Sequence, residues 1–267
     1  MSIGEKNTHA DFYYRVPMKD GEQKPSFGKN PIDPTVIRHQ PHRKIVTNAR
    51  HIQTTLDNEG FVLRKHESRV KDFYDASEIE EKYYPEIMEL AREITGAKSF
   101  RMLGHITRNE AEAEAGKGLG AHRLVHNDFT PALMETIRDF VTDTHRLEGR
   151  IAIFNVWRRF DTGHLHAPLA VCDSQSISEK DLLPTDLHDY GGREGFKLEI
   201  YQSLNSDQHR WFYYPEMKRD EVVVFRTLDT AKDPFIPTLH SAFDHPDCPD
   251  RTPVRESIEA RVLCFYQ

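Results

Sequence analysis

Helical periodicity lies mainly in the first half of the chain, and two-residue alternation dominates the second. Residues 75–96 read DASEIEEKYYPEIMELAREITG. Ile79, Tyr83, Ile87, Leu90 and Ile94 recur there at three- and four-residue spacing, which puts them on one face of a helix. Asp75 is placed to cap the start, the acidic residues after it suit a first turn, and Gly96 stops the pattern. Pro85 inside it predicts a kink or a division into two helices. TPALMETIRDFVTDTHR, 130–146, predicts another helix, with Thr130 as N-cap and Pro131 at the first helical position.

Strand patterns fill most of the remainder. HIQTTLDNEGFVLRKHES, 51–68, reads as two short strands broken at the turn sequence DNEG, and SFRMLGHITR, 99–108, as one strand. AEAEAGKGLG, 111–120, is small, acidic and glycine-rich, and predicts a mobile surface loop; without a following Lys-Ser/Thr it is no phosphate loop. AHRLVHND, 121–128, predicts a strand. After residue 150, RIAIFNVWRRF, FKLEIYQSL, HRWFYYPEM, EVVVFRTLD and RESIEARVLCFYQ are all strand-like, and PLAVCDSQS is a short buried run. Residues 1–50 show little periodicity and read as an extended N-terminal arm. Helices early and strands late predict an α+β chain, or a β-barrel with flanking helices. The expected organisation is one domain over 1–267, with the arm at 1–50 and the core at 51–267.

Composition narrows the function classes. The chain has 267 residues, 37% of them hydrophobic, which is enough for a sizeable core. A net charge of -7 argues against a nucleic-acid partner, which requires a basic face, and RHQPHRK at 38–44 reads as a solvated segment. No apolar run approaches the ~20 residues that cross a bilayer, and the N-terminus lacks a charged-then-apolar leader, so no membrane partner and a cytoplasmic location are expected. Cys172, Cys248 and Cys264 are odd in number and widely spaced, which suits reduced thiols and not a disulfide framework. Fifteen histidines raise the prospect of a metal.

His126-Asn127-Asp128 sharpens that prospect. Side chains at i and i+2 of a strand point the same way, so His126 and Asp128 can grip adjacent positions on one ion. Two histidines and one carboxylate on one face of an iron(II) ion, with the other face open, make the site of a mononuclear non-haem oxygenase. His240, in PTLHSAFDHP, is the candidate third ligand, with His245 as a rival. A 2-oxoglutarate cosubstrate would chelate the metal through its keto-acid end and need a cation for its distal carboxylate. An arginine fork suits that task. Arg255 with Ser257 supplies a fork and a hydroxyl on one strand face; Arg261 lies on the same face and competes for the role. Asn155 and Trp157 share a face of another strand, which puts Asn155 near cosubstrate and Trp157 near substrate, or leaves Trp157 in the core. Trp211 and Tyr213 are further substrate candidates that could equally be packing residues. Arg108 and His105, on the strand before the glycine-rich loop, are placed to hold an acidic substrate group.

VHNDFTP, FNVWRRF, PLAVCDSQSI, DLLPTDL, HRWFYYPEMKRDEVVVFRTLD, HSAFDHP and RESIEARVLCF occur in that order over about 125–265. With them the chain resembles the CmcJ/AsaB-like hydroxylase/desaturase family. Arg159 departs from that family's pattern, which usually has proline after the first arginine of NVWRR. The resemblance implies a double-stranded β-helix, a jelly-roll or cupin-like barrel core with flanking helices. It implies oxidation that uses Fe(II), 2-oxoglutarate and O2. It assigns His126, Asp128 and His240 as metal ligands, and Arg255 with Ser257 as cosubstrate anchor. The expected reaction is hydroxylation, desaturation or ring closure of a small natural-product intermediate by C–H abstraction. A carboxylate ligand at 128 leaves no coordination position for a halide, which argues against halogenation. Two alternatives remain at this stage: a non-oxidative Zn or Mn enzyme on the same barrel, and a non-catalytic ligand-binding barrel. The arm also leaves a homo-oligomer open.

Overall fold

The computed structural model describes residues 7–27, 38–137, 141, 147–161, 165–189, 194–195, 197–248 and 254–267. Its strands are β1 (Thr8–Arg15), β2 (Ser26–Phe27), β3 (His39–Asn48), β4 (Phe61–Lys65), β5 (Ser99–Asn109), β6 (His126–Asn127) and β7 (Ile151–Arg159). They continue with β8 (Leu169–Cys172), β9 (Leu182–His188), β10 (Lys197–Ser203), β11 (Trp211–Tyr213), β12 (Glu221–Asp229), β13 (His240–Ala242) and β14 (Glu256–Phe265). The order β1-β3-β11-β8-β13-β6-β10-β9-β2 makes a nine-stranded sheet, and β4-β12-β7-β14-β5 a five-stranded one. Neighbours in space are mostly distant in sequence, as a jelly roll requires, and the fold is the expected double-stranded β-helix.

The central strands β12, β7 and β14 of the five-stranded sheet are buried on both faces, and their sequences say why. β12, EVVVFRTLD, is apolar at odd and even positions alike. Its outer face, with Val222, Val224, Ala152, Phe154, Val156, Ile258, Ala260 and Val262, packs under Ile79, Tyr83, Ile87 and Leu90 of the helical segment. Each of those isoleucines and leucines contributes ~1.5–3 kcal/mol by full burial. That segment runs as α1 (Ala76–Glu78), a π-turn at Ile79–Tyr83 and α2 (Tyr84–Thr95). Asp75 accepts from the N–H groups of Ser77 and Glu78, and Gly96, at φ 68°, ends α2 in the left-handed region. Pro85 sits in the first turn of α2, where its missing N–H costs least, and a π-turn precedes it in place of a break.

Several elements depart from the sequence expectations. Residues 51–60 form irregular chain and turns, so only the second of the two strands expected in 51–68 exists, as β4. Residues 110–114 form a short helix, α3 (Glu110–Glu114), not a bare loop: the Asn109 side chain accepts from Glu112 N–H, and buried Glu110 pairs with Arg123. DLLPTDL forms β9, a strand that its proline and two aspartates concealed. Within the first 50 residues, β1 and β3 pair over eight registers and extend the nine-stranded sheet, with Phe12, Tyr14 and Val46 fully buried. α4 (Leu133–Thr136) carries the described part of the helix expected at 130–146, and residues 138–140 and 142–146 lie outside the described residues. Among the described residues, no helix is long and apolar enough to cross a membrane.

Candidate active site

Hydrogen bonding between β6 and β13 puts His126 directly opposite His240 in the middle of the nine-stranded sheet. Asp128 follows β6 by one residue. The ligating atoms of His126, Asp128 and His240 all lie within 4.8 Å of one another. Asp128 Oδ1 is 3.4 Å from His126 Nε2 and 3.8 Å from His240 Nε2. Each imidazole is aimed by its other nitrogen. His126 Nδ1 donates to the Leu124 carbonyl at 2.8 Å, and His240 Nδ1 to that of Thr238 at 3.4 Å. Carbonyls only accept, so both rings present a bare Nε2 lone pair to the centre, as metal-ligating histidines do. Burial drives the His240 pKa down to about 3, which keeps it neutral.

Asp128 is held from the other sheet. Its Oδ2 accepts from Asn155 Nδ2 on β7 and from Arg261 Nε on β14, both at 2.7 Å, which leaves Oδ1 facing the histidines. Burial alone would raise its pKa, but the Arg261 guanidinium and the adjoining imidazoles hold the carboxyl well below the usual carboxylate range. Asn155 is oriented in turn by Thr227, whose hydroxyl lies 3.1 Å from Asn155 Oδ1. Three convergent, dry, oriented donors of this kind suit a divalent ion of the iron, zinc or manganese type.

Arg255 and Arg261 differ sharply. Arg261 bridges two carboxylates, Asp128 and Glu259, the latter at 2.6 Å from its Nη2. Arg255 stacks over Trp157 at 5.1 Å and donates to the Ser257 hydroxyl and the Ala167 carbonyl. No carboxylate among the described residues pairs with it. Burial, with Arg159 and Arg108 nearby, lowers its pKa to about 9. The buried Trp157 Nε1–H beside it has no acceptor among the described residues. A buried cation without a counter-ion, next to an unanswered donor, fits the distal carboxylate of a dicarboxylate ligand.

A cavity of about 730 Å³ reaches His126 and Asp128 of the cluster. His126, Asp128 and Arg261 lie along one side of it. Leu103, Phe129, Leu133, Ile137, Leu198 and Ile200 give it apolar walls, while Arg108, His105 and His122 supply polar groups. Arg108 donates to the Gly120 carbonyl, and His105 Nδ1 lies 2.8 Å from the Tyr84 hydroxyl. The remaining expected site residues lie elsewhere. Trp211 stacks on Phe12 at 4.3 Å and donates to Tyr14, and Tyr213 contacts Phe243 and His245. Neither lines the cavity, nor does Trp157, which is enclosed by Arg255 and the core. Asn155 binds Asp128, not open space. His245, the rival ligand, bonds to Tyr213 and is absent from the ligand cluster. Sequence reading passed over Glu259, Thr227 and His122. Glu259 was findable, because it alternates with Ser257 and Arg261 on one face of β14.

Comparison with known proteins agrees with this arrangement. A family model described as "Oxidoreductase/YMDC permease-like domain" matches residues 12–265. The alpha-ketoglutarate-dependent dioxygenase phiK of a fungal species is 30% identical over 79% of this chain and 79% of its own length. The hydroxylase/desaturase efuI of Hormonema carpetanum is 32% identical, covering 80% of this chain and 79% of its own. The iron and alpha-ketoglutarate-dependent endoperoxidase NvfI superposes with a TM-score of 0.83 at 25% identity, over 98% of each chain.

Proposed function

The chain belongs to the CmcJ/AsaB-like hydroxylase/desaturase family of iron(II)/2-oxoglutarate-dependent dioxygenases, and on that premise we propose the roles of its residues and the nature of its substrate. Its cofactors are Fe(II), 2-oxoglutarate and O2. His126, Asp128 and His240 hold the iron through Nε2, Oδ1 and Nε2. Arg255 binds the distal carboxylate of 2-oxoglutarate, and Ser257, which accepts from Arg255 Nε, keeps that fork turned inward. Arg261 is not the anchor, since its fork is already committed to Asp128 and Glu259. When bound, iron, 2-oxoglutarate and dioxygen supply C–H oxidation, with succinate and carbon dioxide as co-products.

The protein's part is placement and exclusion of water. The apolar walls of the cavity hold the substrate skeleton over the ligand cluster, and Arg108 and His105 hold an acidic group at one end. Such a pocket suits a largely apolar small molecule with one anionic substituent. The observation that carries the assignment is the convergence of two Nε2 lone pairs and one carboxylate oxygen, together with a buried arginine that pairs with no carboxylate among the described residues. Anaerobic titration of the iron(II) protein with 2-oxoglutarate tests it. A weak visible charge-transfer band should develop in the wild type, and His126→Ala should bind iron poorly and show no band. Full iron stoichiometry in His126→Ala would overturn the ligand set.

A further inference from the structure

Among the described residues, Glu259 is a buried carboxylate beside the His126–Asp128–His240 cluster that the roles above leave unused. It is only 8% exposed and sits on β14, opposite Trp157 of β7. Its Oε1 accepts from Arg261 Nη2 at 2.6 Å and from Asn155 Nδ2 at 3.1 Å. Those two side chains are the ones that bind Asp128 Oδ2. One guanidinium and one amide are thus shared between two carboxylates, and the sharing fixes which N–H faces which acid.

The consequence follows from the preferred geometry of arginine. A guanidinium facing a lone carboxylate takes both oxygens in a parallel two-bond fork. Arg261 gives Asp128 only Nε, because Nη2 is occupied by Glu259. Without Glu259, Nη2 would lose that carboxylate, and the oxygen that completes a two-bond fork with the acid Nε already engages is Asp128 Oδ1. That oxygen is the one turned to His126 and His240. Arg261 would then compete with the metal for its carboxylate ligand.

We propose that Glu259 is a positioning residue of the metal centre, which holds Arg261 on the far oxygen of Asp128 and so reserves the near oxygen for the metal. This rests on the ligand assignment proposed above. The test is Co(II) binding to the purified full chain without cosubstrate, so that turnover plays no part. Glu259→Ala should bind Co(II) about 10–100-fold more weakly, the usual effect of losing an outer partner of a ligand. Glu259→Gln keeps an acceptor for Nη2 and should fall between Glu259→Ala and wild type. Adding Arg261→Met to Glu259→Ala removes the competing fork and should restore part of the lost affinity, a non-additivity that general destabilisation would not produce. Wild-type affinity in Glu259→Ala, or a further loss on adding Arg261→Met, overturns the proposal. Should Glu259→Ala not fold, Glu259→Gln carries the test, and equality with wild type overturns it. His126→Ala in the same titration separates the two readings: retained affinity there overturns the ligand assignment and this inference together, whereas unchanged binding in the Glu259 variants overturns this inference alone.

Discussion

Replacing Arg255 with methionine should leave the empty enzyme as stable as the wild type, or more so, while removing its hold on 2-oxoglutarate. Arg255 is buried with no carboxylate partner among the described residues, and its pKa falls from 12.5 to about 9, chiefly through burial. A fall of about 3.5 corresponds to ~5 kcal/mol against the charged form, at ~1.4 kcal/mol for each tenfold change in proton affinity. Against that relief stand the bonds to Ser257 and Ala167 and the stack on Trp157. Each of those bonds contributes ~1.5–3 kcal/mol with a charged donor, so the balance lies near zero. Cosubstrate binding loses two charge-assisted bonds of that size, ~3–6 kcal/mol, or ~10²–10⁴-fold in affinity. Arg261→Met, six residues along the same strand face, should behave in the opposite way. It strands Asp128 and Glu259 without their cation and should destabilise the protein by ~3–5 kcal/mol. Urea unfolding of the metal-free variants gives the stabilities, and anaerobic charge-transfer titration gives the 2-oxoglutarate affinity. An Arg255→Met protein that binds 2-oxoglutarate as the wild type does, or that loses as much stability as Arg261→Met, would refute the reasoning.

Three further outcomes are expected. Gly60 has φ +88°, and a Cβ there would lie 2.2 Å from Thr238 Oγ1. Because the Thr238 carbonyl orients His240, Gly60→Ala should cost ~1–3 kcal/mol in strain and also lower bound Co(II), both measurable on one preparation. Trp211→Phe removes the Nε1–H bond to Tyr14 and should destabilise by ~1–3 kcal/mol, with KM for cosubstrate and substrate unchanged, since Trp211 lies off the cavity. His39 is pulled by burial, and by nearby Arg15 and Arg38, from 6.5 to about 4. The unfolded chain therefore takes up its proton at a higher pH than the folded one, so stability falls as pH drops from 6.5 to about 4. His39→Gln should flatten the pH dependence of the urea midpoint across that window, and an unchanged slope would show that His39 does not contribute to it.

Periodicity alone determined the local elements whose signal is short in range. The stripe from Ile79 to Ile94, the Asp75 cap and the Gly96 stop needed nothing beyond helix geometry, and the alternating segments after residue 150 became β7, β10, β11, β12 and β14. The same alternation located Arg255, Ser257 and Arg261 on one face, and the His-x-Asp spacing located the first two of the proposed ligands. Residue type could not rank two arginines on one strand, because the difference lies in what faces them. Asp128 and Glu259 occupy Arg261, and no carboxylate among the described residues pairs with Arg255; those partners arrive from the residue after β6 and from β14 itself. Nor could local pattern show that β1 and β3 complete a sheet, that Trp211 packs on Phe12 instead of substrate, or that Glu110 ties down a glycine-rich loop. Each depends on contacts between residues outside one local element, which form only as the chain folds back on itself and which leave no period in the sequence.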